Sequence, residues 1–147
     1  MNYSHKSKIN FFSTGVIFSF KNKKRIIKFI DYLLKNETKC SQSINYVFCN
    51  DKYLLKINRE YLNHGNLTDI ITFDLSSNKK EINGEIYISI ERVKENSFLF
   101  GVSFTTELLR VIIHGALHLC SYNDKKIKEK RIMRKKEEYY LAQYSNF

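Results

Sequence analysis

Two spacings of hydrophobic residues occur along this chain, and the change from one to the other separates predicted strands from predicted helices. Residues 9–20 and 44–49 are rich in aromatic and β-branched residues, which favours strands. Ile26, Ile30 and Leu33 instead recur three or four positions apart, which is typical of an amphipathic helix. The whole pattern predicts strands over residues 9–20, 44–49, 68–75 and 84–90, and helices over residues 22–36, 51–62, 91–98, 105–119 and 125–144.

The order of these elements, β-α-β-α-β-β-α-α-α, predicts the fold class. We expect one α/β (α+β) domain over residues 1–147, with a four-stranded mixed sheet packed against about five helices. The apolar centre of residues 68–75 predicts a strand buried on both faces. The polar residues 76–83 predict a hairpin-like connection to the next strand.

Composition limits the class of protein. The chain has 3 cysteines without a CxxC pair, which favours free thiols in a reducing compartment, and we expect a cytoplasmic protein. No stretch approaches the roughly 20 apolar residues of a membrane span, and no cleavage pattern follows the apolar N-terminal segment. We therefore expect no membrane association, and a monomer.

The charge points to a polyanionic partner. The formal net charge is +10 and the sequence pI is about 9.5, a balance common among proteins that bind nucleic acids. The chain is also crowded with Lys, Asn and Ile and contains no Pro or Trp, a pattern that matches an AT-rich coding bias. Charge by itself is therefore a weak argument for RNA.

The helix over residues 105–119 carries two histidines, His114 and His118, on one face. Residues four apart in a helix lie roughly 6 Å apart along its axis. The polar residues 121–124 predict a turn that returns Asp124 toward both rings. Two imidazoles and a carboxylate with an open fourth position describe a catalytic zinc site at the end of this central helix.

Two other interpretations of the paired histidines need to be weighed. Histidines of a buried helix can simply form hydrogen bonds in the core, although an apolar helix offers few partners for two imidazoles. A zinc peptidase of the HExxH type needs a glutamate after the first histidine as general base. Gly115 stands at that position and cannot accept a proton.

Residues 114–124 resemble the signature HGxLHLxGYDH of the YbeY family of bacterial ribosomal RNA maturation factors. Residues 58–61 (NREY) and 67–73 (LTDIITF) are similar to the family segment LNxxYR…TDVLSF, and residues 84–89 (GEIYIS) are similar to its strand GDIxIS. Residues 133–141 resemble the family's C-terminal helix with its methionine and acidic residues. Several motifs in one order are far more specific than a single HxxxH.

The resemblance implies a zinc-dependent endoribonuclease that acts on single-stranded RNA. Members of this family mature the ends of ribosomal RNA, notably the small-subunit RNA, and take part in ribosome quality control. RNA and the small ribosomal subunit or its proteins are the implied partners. His114 and His118 match the first two zinc ligands of the family, with one Zn²⁺ per chain.

Three positions depart from the family pattern. Asp124 replaces the third histidine, and its harder oxygen donor broadens the metal choice toward Mn²⁺ or Mg²⁺. Ser121 replaces a glycine; a left-handed residue there costs roughly 1–2 kcal/mol, so we expect a reshaped turn with Asn123 taking that conformation. Leu62 replaces an arginine.

Other residues are candidates for catalysis or for orienting the metal ligands. Arg110 lies one turn before His114, where its guanidinium can hold a phosphate. His64, in a polar turn, is a candidate general acid. Asp69 can orient a ligand imidazole, and Thr68 precedes it; the alternative is that both form a turn or cap at the strand entrance.

A basic run follows the metal motif directly. Lys125, Lys126 and Arg131 begin a stripe that can bind RNA through release of counterions, or that is simply a solvated helix face. If the metal only holds the fold and this surface docks on RNA, the protein is a non-catalytic ribosome-assembly factor. That function is the alternative to the nuclease.

Overall fold

A computed structural model describes residues 8–62 and 68–147, and within them it contains the predicted elements in the predicted order. In the described ranges the predicted four-stranded mixed sheet with five helices is confirmed. The elements are β1 (Ile9–Ser13), α1 (Lys23–Asn36), β2 (Cys40–Cys49), α2 (Asp51–Leu62), β3 (Ile70–Asp74), β4 (Glu81–Ser89), α3 (Ile90–Phe100), α4 (Phe104–Leu119) and α5 (Ile127–Ser145).

The sheet has the strand order β1-β2-β4-β3. β1 and β2 pair in parallel, β2 and β4 pair in parallel, and β3 forms an antiparallel hairpin with β4. The predicted hairpin connection is therefore present. Burial of β3 on both faces was predicted too strongly: only Ile71 is buried, while Ile70, Thr72 and Phe73 are half-buried. The reason is that β3 lies at the edge of the sheet.

The first strand is shorter than predicted. β1 ends at Ser13, and the chain turns at Gly15, whose φ of 71° is left-handed. Phe18 and Phe20 then pack on Phe48, with ring centroids 5.1 and 5.5 Å from it. The aromatic run therefore contributes to the core from a loop, because side-chain burial does not require strand pairing.

The helix α4 lies flush on the sheet because glycines stand at the contacts. A Cβ atom at Gly115 would lie 2.9 Å from Cγ2 of Ile86, and one at Gly84 would lie 2.7 Å from Cδ2 of Leu119. The main core lies on this face of the sheet, between the strands and α1, α4 and α5. A smaller cluster around Leu54 lies under α2. This close packing sets the position of the histidine helix beside β3.

No single helix in the described parts of the chain is long and apolar enough to cross a membrane. α3 and α4 reach that length and composition only as a pair, and they meet at a bend of 116°.

Candidate metal centre

Three side chains converge at the end of α4. Nε2 of His114 lies 3.2 Å from Oδ2 of Asp124, and Nε2 of His118 lies 3.3 Å from the same oxygen. The three donor atoms lie within 4.8 Å of one another and could hold one metal ion. The structure therefore brings together the three ligands that the sequence predicts. Their side chains keep 18–39% of their surface exposed, so the group faces solvent.

The turn after α4 returns Asp124 by a Schellman motif. The N–H of Tyr122 donates to the carbonyl of Leu117 (3.1 Å), and the N–H of Ser121 donates to that of His118 (3.0 Å). Ser121 itself is left-handed, with a φ of 74°. The expectation that Asn123 takes this conformation is wrong. The turn retains the left-handed position and accepts the strain, which is about 1–2 kcal/mol for a non-glycine residue.

Glu137 of α5 is the main support of the site. Its Oε2 lies 3.0 Å from Nδ1 of His114, and the residue is only 5% exposed. Because an ionised carboxylate can only accept a hydrogen bond, Nδ1 carries the proton, and Nε2, which faces Asp124, is the atom that could bind a metal. Sequence reasoning did not name Glu137. A signal existed: Met133, Glu137 and Tyr140 share one buried helical stripe, and a carboxylate there needs a partner.

Asp69 and Thr68 line the same cleft. In the described parts of the chain, no hydrogen bond joins the Asp69 side chain to either imidazole. Burial raises the pKa of the Asp69 carboxyl, and the charge of His114 opposes that shift. The hydroxyl of Thr68 donates to the carbonyl of Ile70 (3.2 Å), a local contact at the entrance of β3. His64 lies outside the described residues.

Arg110 lies in the cleft between two carboxylates. Its Nη1 is 3.4 Å from Oε1 of Glu137, and its Nε is 3.6 Å from Oε2 of Glu107. Burial raises the pKa of Glu107, whose residue is 2% exposed. A chain of charged groups thus runs from Glu107 through Arg110 and Glu137 to His114.

The pKa values of the two imidazoles are shifted in opposite directions. Burial alone would lower the pKa of His114, but the hydrogen bond and charge of Glu137 raise it above its ordinary value. Burial and the neighbouring charge of His114 lower the pKa of His118. His118 is therefore the imidazole more readily available as a neutral ligand.

The triad lies in a cleft of about 980 Å³. The ends of α2 and α3 contribute Leu62 and Phe100 to it, and Lys125, before α5, and Arg134, in the first half of α5, also line it. Leu62 makes this part of the wall apolar at the position where the similar family segment has arginine.

The other two residues predicted to bind RNA, Lys126 and Arg131, are not among the residues that line the cleft. Arg131 is exposed on α5. Lys126 is exposed at the N-terminus of the same helix, where its N–H donates to Glu129 (2.9 Å).

Comparisons with known proteins give one consistent family. The family model described as Endoribonuclease YbeY matches residues 9–145. A relative from Flavobacterium psychrophilum named Endoribonuclease YbeY is 47% identical over 127 residues, which is 86% of this chain and 90% of that protein. One of the same name from Karelsulcia muelleri is 50% identical over 114 residues, 78% and 80% of the two chains. The solution structure of TM1509 from Thermotoga maritima superposes with a TM-score of 0.65 and 26% identity, covering 92% and 88%.

Proposed function

Because this chain belongs to the YbeY family of endoribonucleases, we propose that it cleaves single-stranded ribosomal RNA with one zinc ion held by His114, His118 and Asp124. Family membership itself gives the coarser statement: a metal-dependent endoribonuclease of ribosomal RNA processing. We extend it to the ends of the small-subunit RNA, to ribosome quality control on the small subunit, and to a cytoplasmic monomer with one domain over residues 1–147.

The observation that carries the choice of zinc is the chemistry of the three donors. Two of them are imidazole nitrogens and one is a carboxylate oxygen, and all lie within 4.8 Å of one another. Imidazole suits Zn²⁺, whereas Mg²⁺ prefers oxygen ligands and keeps several waters. The donor set therefore supports Zn²⁺ over Mg²⁺.

Such an ion would supply Lewis acidity toward a phosphoryl oxygen and would lower the pKa of water at the open position. The protein's own groups do the positioning. Glu137 holds the His114 ring so that Nε2 faces the centre. Arg110 lies one turn earlier on α4, between the carboxylates of Glu107 and Glu137, and orients a phosphate there. We retain Asp69 as a charge that supports His114, and His64 as the candidate general acid.

The first prediction concerns the triad. Wild-type protein is expected to retain about one equivalent of zinc after dialysis, because three converging donors complete most of a tetrahedral site. The combined variant His114→Ala and His118→Ala is expected to lose both the metal and metal-dependent cleavage of single-stranded RNA. Metal content is measured by mass spectrometry, and cleavage by gel analysis with chelated and reloaded protein.

His5→Ala is the matched control and should retain both properties, because His5 lies outside the motif. An unchanged metal content in the double variant would refute the site. If chelated and loaded wild-type protein leave RNA equally intact while both bind ribosomal particles, the protein is the non-catalytic assembly factor.

A further inference from the structure

The lining of the cleft combines exposed apolar side chains with charged groups. The ends of α2 and α3 contribute the hydrophobic residues Leu62 (41% exposed) and Phe100 (60% exposed). Lys125, before α5, and Arg134, in the first half of α5, contribute cations beside the carboxylates of the candidate centre. A cleft that offers both an exposed ring and cations can receive a single nucleic acid strand, which carries bases on one side and phosphates on the other.

Phe100 is not a core residue that happens to lie near the surface. It is the last residue of α3, and the chain turns away at Gly101, whose φ of 66° is left-handed. Among the described residues no aromatic ring packs against Phe100, although many other rings of this chain form pairs. An unpaired ring that lines the cleft is free to receive a planar ligand on its face.

We propose that Phe100 is a stacking platform for a base of the single-stranded RNA substrate, with the phosphates of the strand near the cations Arg110, Arg134 and Lys125. The inference rests on the proposed function. It also gives a physical reason for single-strand preference: in a duplex both faces of each base are already stacked, so no face is available to the ring.

The stacked base belongs to a nucleotide some distance along the strand from the cleaved phosphate. Glu107 and His114 lie seven residues apart on α4, about 10 Å along its axis. Phe100 comes four residues before the start of α4, whereas the triad lies near the C-terminal end of that helix. Phe100 is therefore a substrate-binding residue. Its loss should change the affinity and KM while leaving kcat close to the wild-type value.

The experiment compares Phe100→Ala with Phe98→Ala. Phe98 is 75% exposed on the same helix but does not line the cleft, so the pair controls for loss of an exposed ring. Binding of a labelled single-stranded oligoribonucleotide to metal-free protein is measured by fluorescence anisotropy. We expect Phe100→Ala to weaken binding about tenfold, Phe100→Trp to restore it, and Phe98→Ala to leave it unchanged.

A second arm changes the RNA. Against an oligonucleotide whose bases are replaced by abasic sites, Phe100→Ala and wild-type protein should bind equally, because the ring then has no partner. The salt dependence of Phe100→Ala should keep the wild-type slope, since no charge is removed. Thermal unfolding of each variant confirms that the fold is retained.

The outcomes separate the two proposals. Equal affinities of Phe100→Ala and wild-type protein for intact RNA would overturn the stacking role while leaving the nuclease assignment untouched, and this side of the cleft would then suit a protein partner. Equal weakening by Phe98→Ala would also overturn it. Wild-type protein that does not bind single-stranded RNA at all would overturn both.

Discussion

At the scale of single residues, the candidate centre depends on one buried carboxylate. Glu137 contacts both His114 and Arg110, so its charge is compensated on two sides. A buried carboxylate without such partners would destabilise the fold by several kcal/mol. The same pairing fixes the ring of His114, since the hydrogen bond to Nδ1 leaves only Nε2 for a metal. One side chain therefore serves both stability and ligand orientation.

The second prediction follows from this contact. Glu137→Gln keeps the size of the side chain but removes the charge that supports His114. Loss of such a support typically lowers metal affinity 10- to 100-fold. Zinc affinity is measured by competition with a chromophoric chelator. Glu138→Gln is the control, because that neighbouring side chain is 63% exposed. Equal affinities of the two variants would contradict the role of Glu137.

At the scale of elements, a second carboxylate joins three parts of the fold. Glu37 ends α1 and accepts hydrogen bonds from Tyr122 in the turn after α4 (2.7 Å) and from Lys136 and Tyr140 on α5 (2.9 and 2.6 Å). Tyr122 lies two residues before the ligand Asp124. The cluster around Glu37 therefore holds both the returning turn and the helix that carries Glu137.

The third prediction concerns this cluster. Burial raises the pKa of Glu37, but the hydrogen bonds from Tyr140, Tyr122 and Lys136 outweigh it and hold the pKa below its usual value. The ionised form therefore stabilises the fold above pH 4.5, the usual value for this group, and that contribution is lost as the pH falls through the folded-state pKa. Glu37→Gln is expected to lower the free energy of unfolding by about 2 kcal/mol at pH 7.

Urea unfolding at several pH values measures this effect, and the difference between variant and wild type should shrink in acid. Glu60→Gln is the control: Glu60 is 50% exposed and lies 3.9 Å from Lys56 in a surface pair, which contributes little. A difference that is constant from neutral to acidic pH would contradict the ionised state of Glu37.

At the scale of the whole molecule, charge and shape act together. The net charge of +10 gives a field that attracts RNA from any direction, whereas the cleft places a few particular cations near the candidate centre. Attraction by the net charge and binding at particular cations can be distinguished. If RNA contacts particular cations, removing those cations weakens RNA binding more than removing the same number elsewhere.

The fourth prediction tests the basic stripe. The combined variant Lys125→Ala, Lys126→Ala and Arg131→Ala removes three cations of the stripe, of which Lys125 lines the cleft. For single-stranded RNA each phosphate contact contributes about 0.7 to the slope of log K against log salt, so the slope should become less steep by about 2. Anisotropy titrations over a range of salt concentrations measure it.

The control removes three lysines from exposed positions of α1: Lys23, Lys24 and Lys28. This variant has the same net charge as the first and should keep the wild-type slope. Equal changes in both variants would mean that the total charge matters and that the stripe is a solvated face.

The sequence by itself determined the kinds and order of the elements and the three candidate ligands. These follow from local spacing: four residues place two histidines on one helix face, and a short polar segment returns Asp124. It also determined the family, because several motifs occur in one order. The local prediction for the turn was nevertheless wrong, because Ser121 and not Asn123 is left-handed.

Only the tertiary structure decided which group supports His114. Glu137 lies 23 residues away in the sequence, and the contact depends on how α5 packs across α4, which hydrophobic periodicity does not specify. The edge position of β3 and the mixture of apolar and charged residues in the cleft have the same origin. Each depends on how separate elements pack against one another. Burial of the whole core supplies the free energy that stabilises this packing.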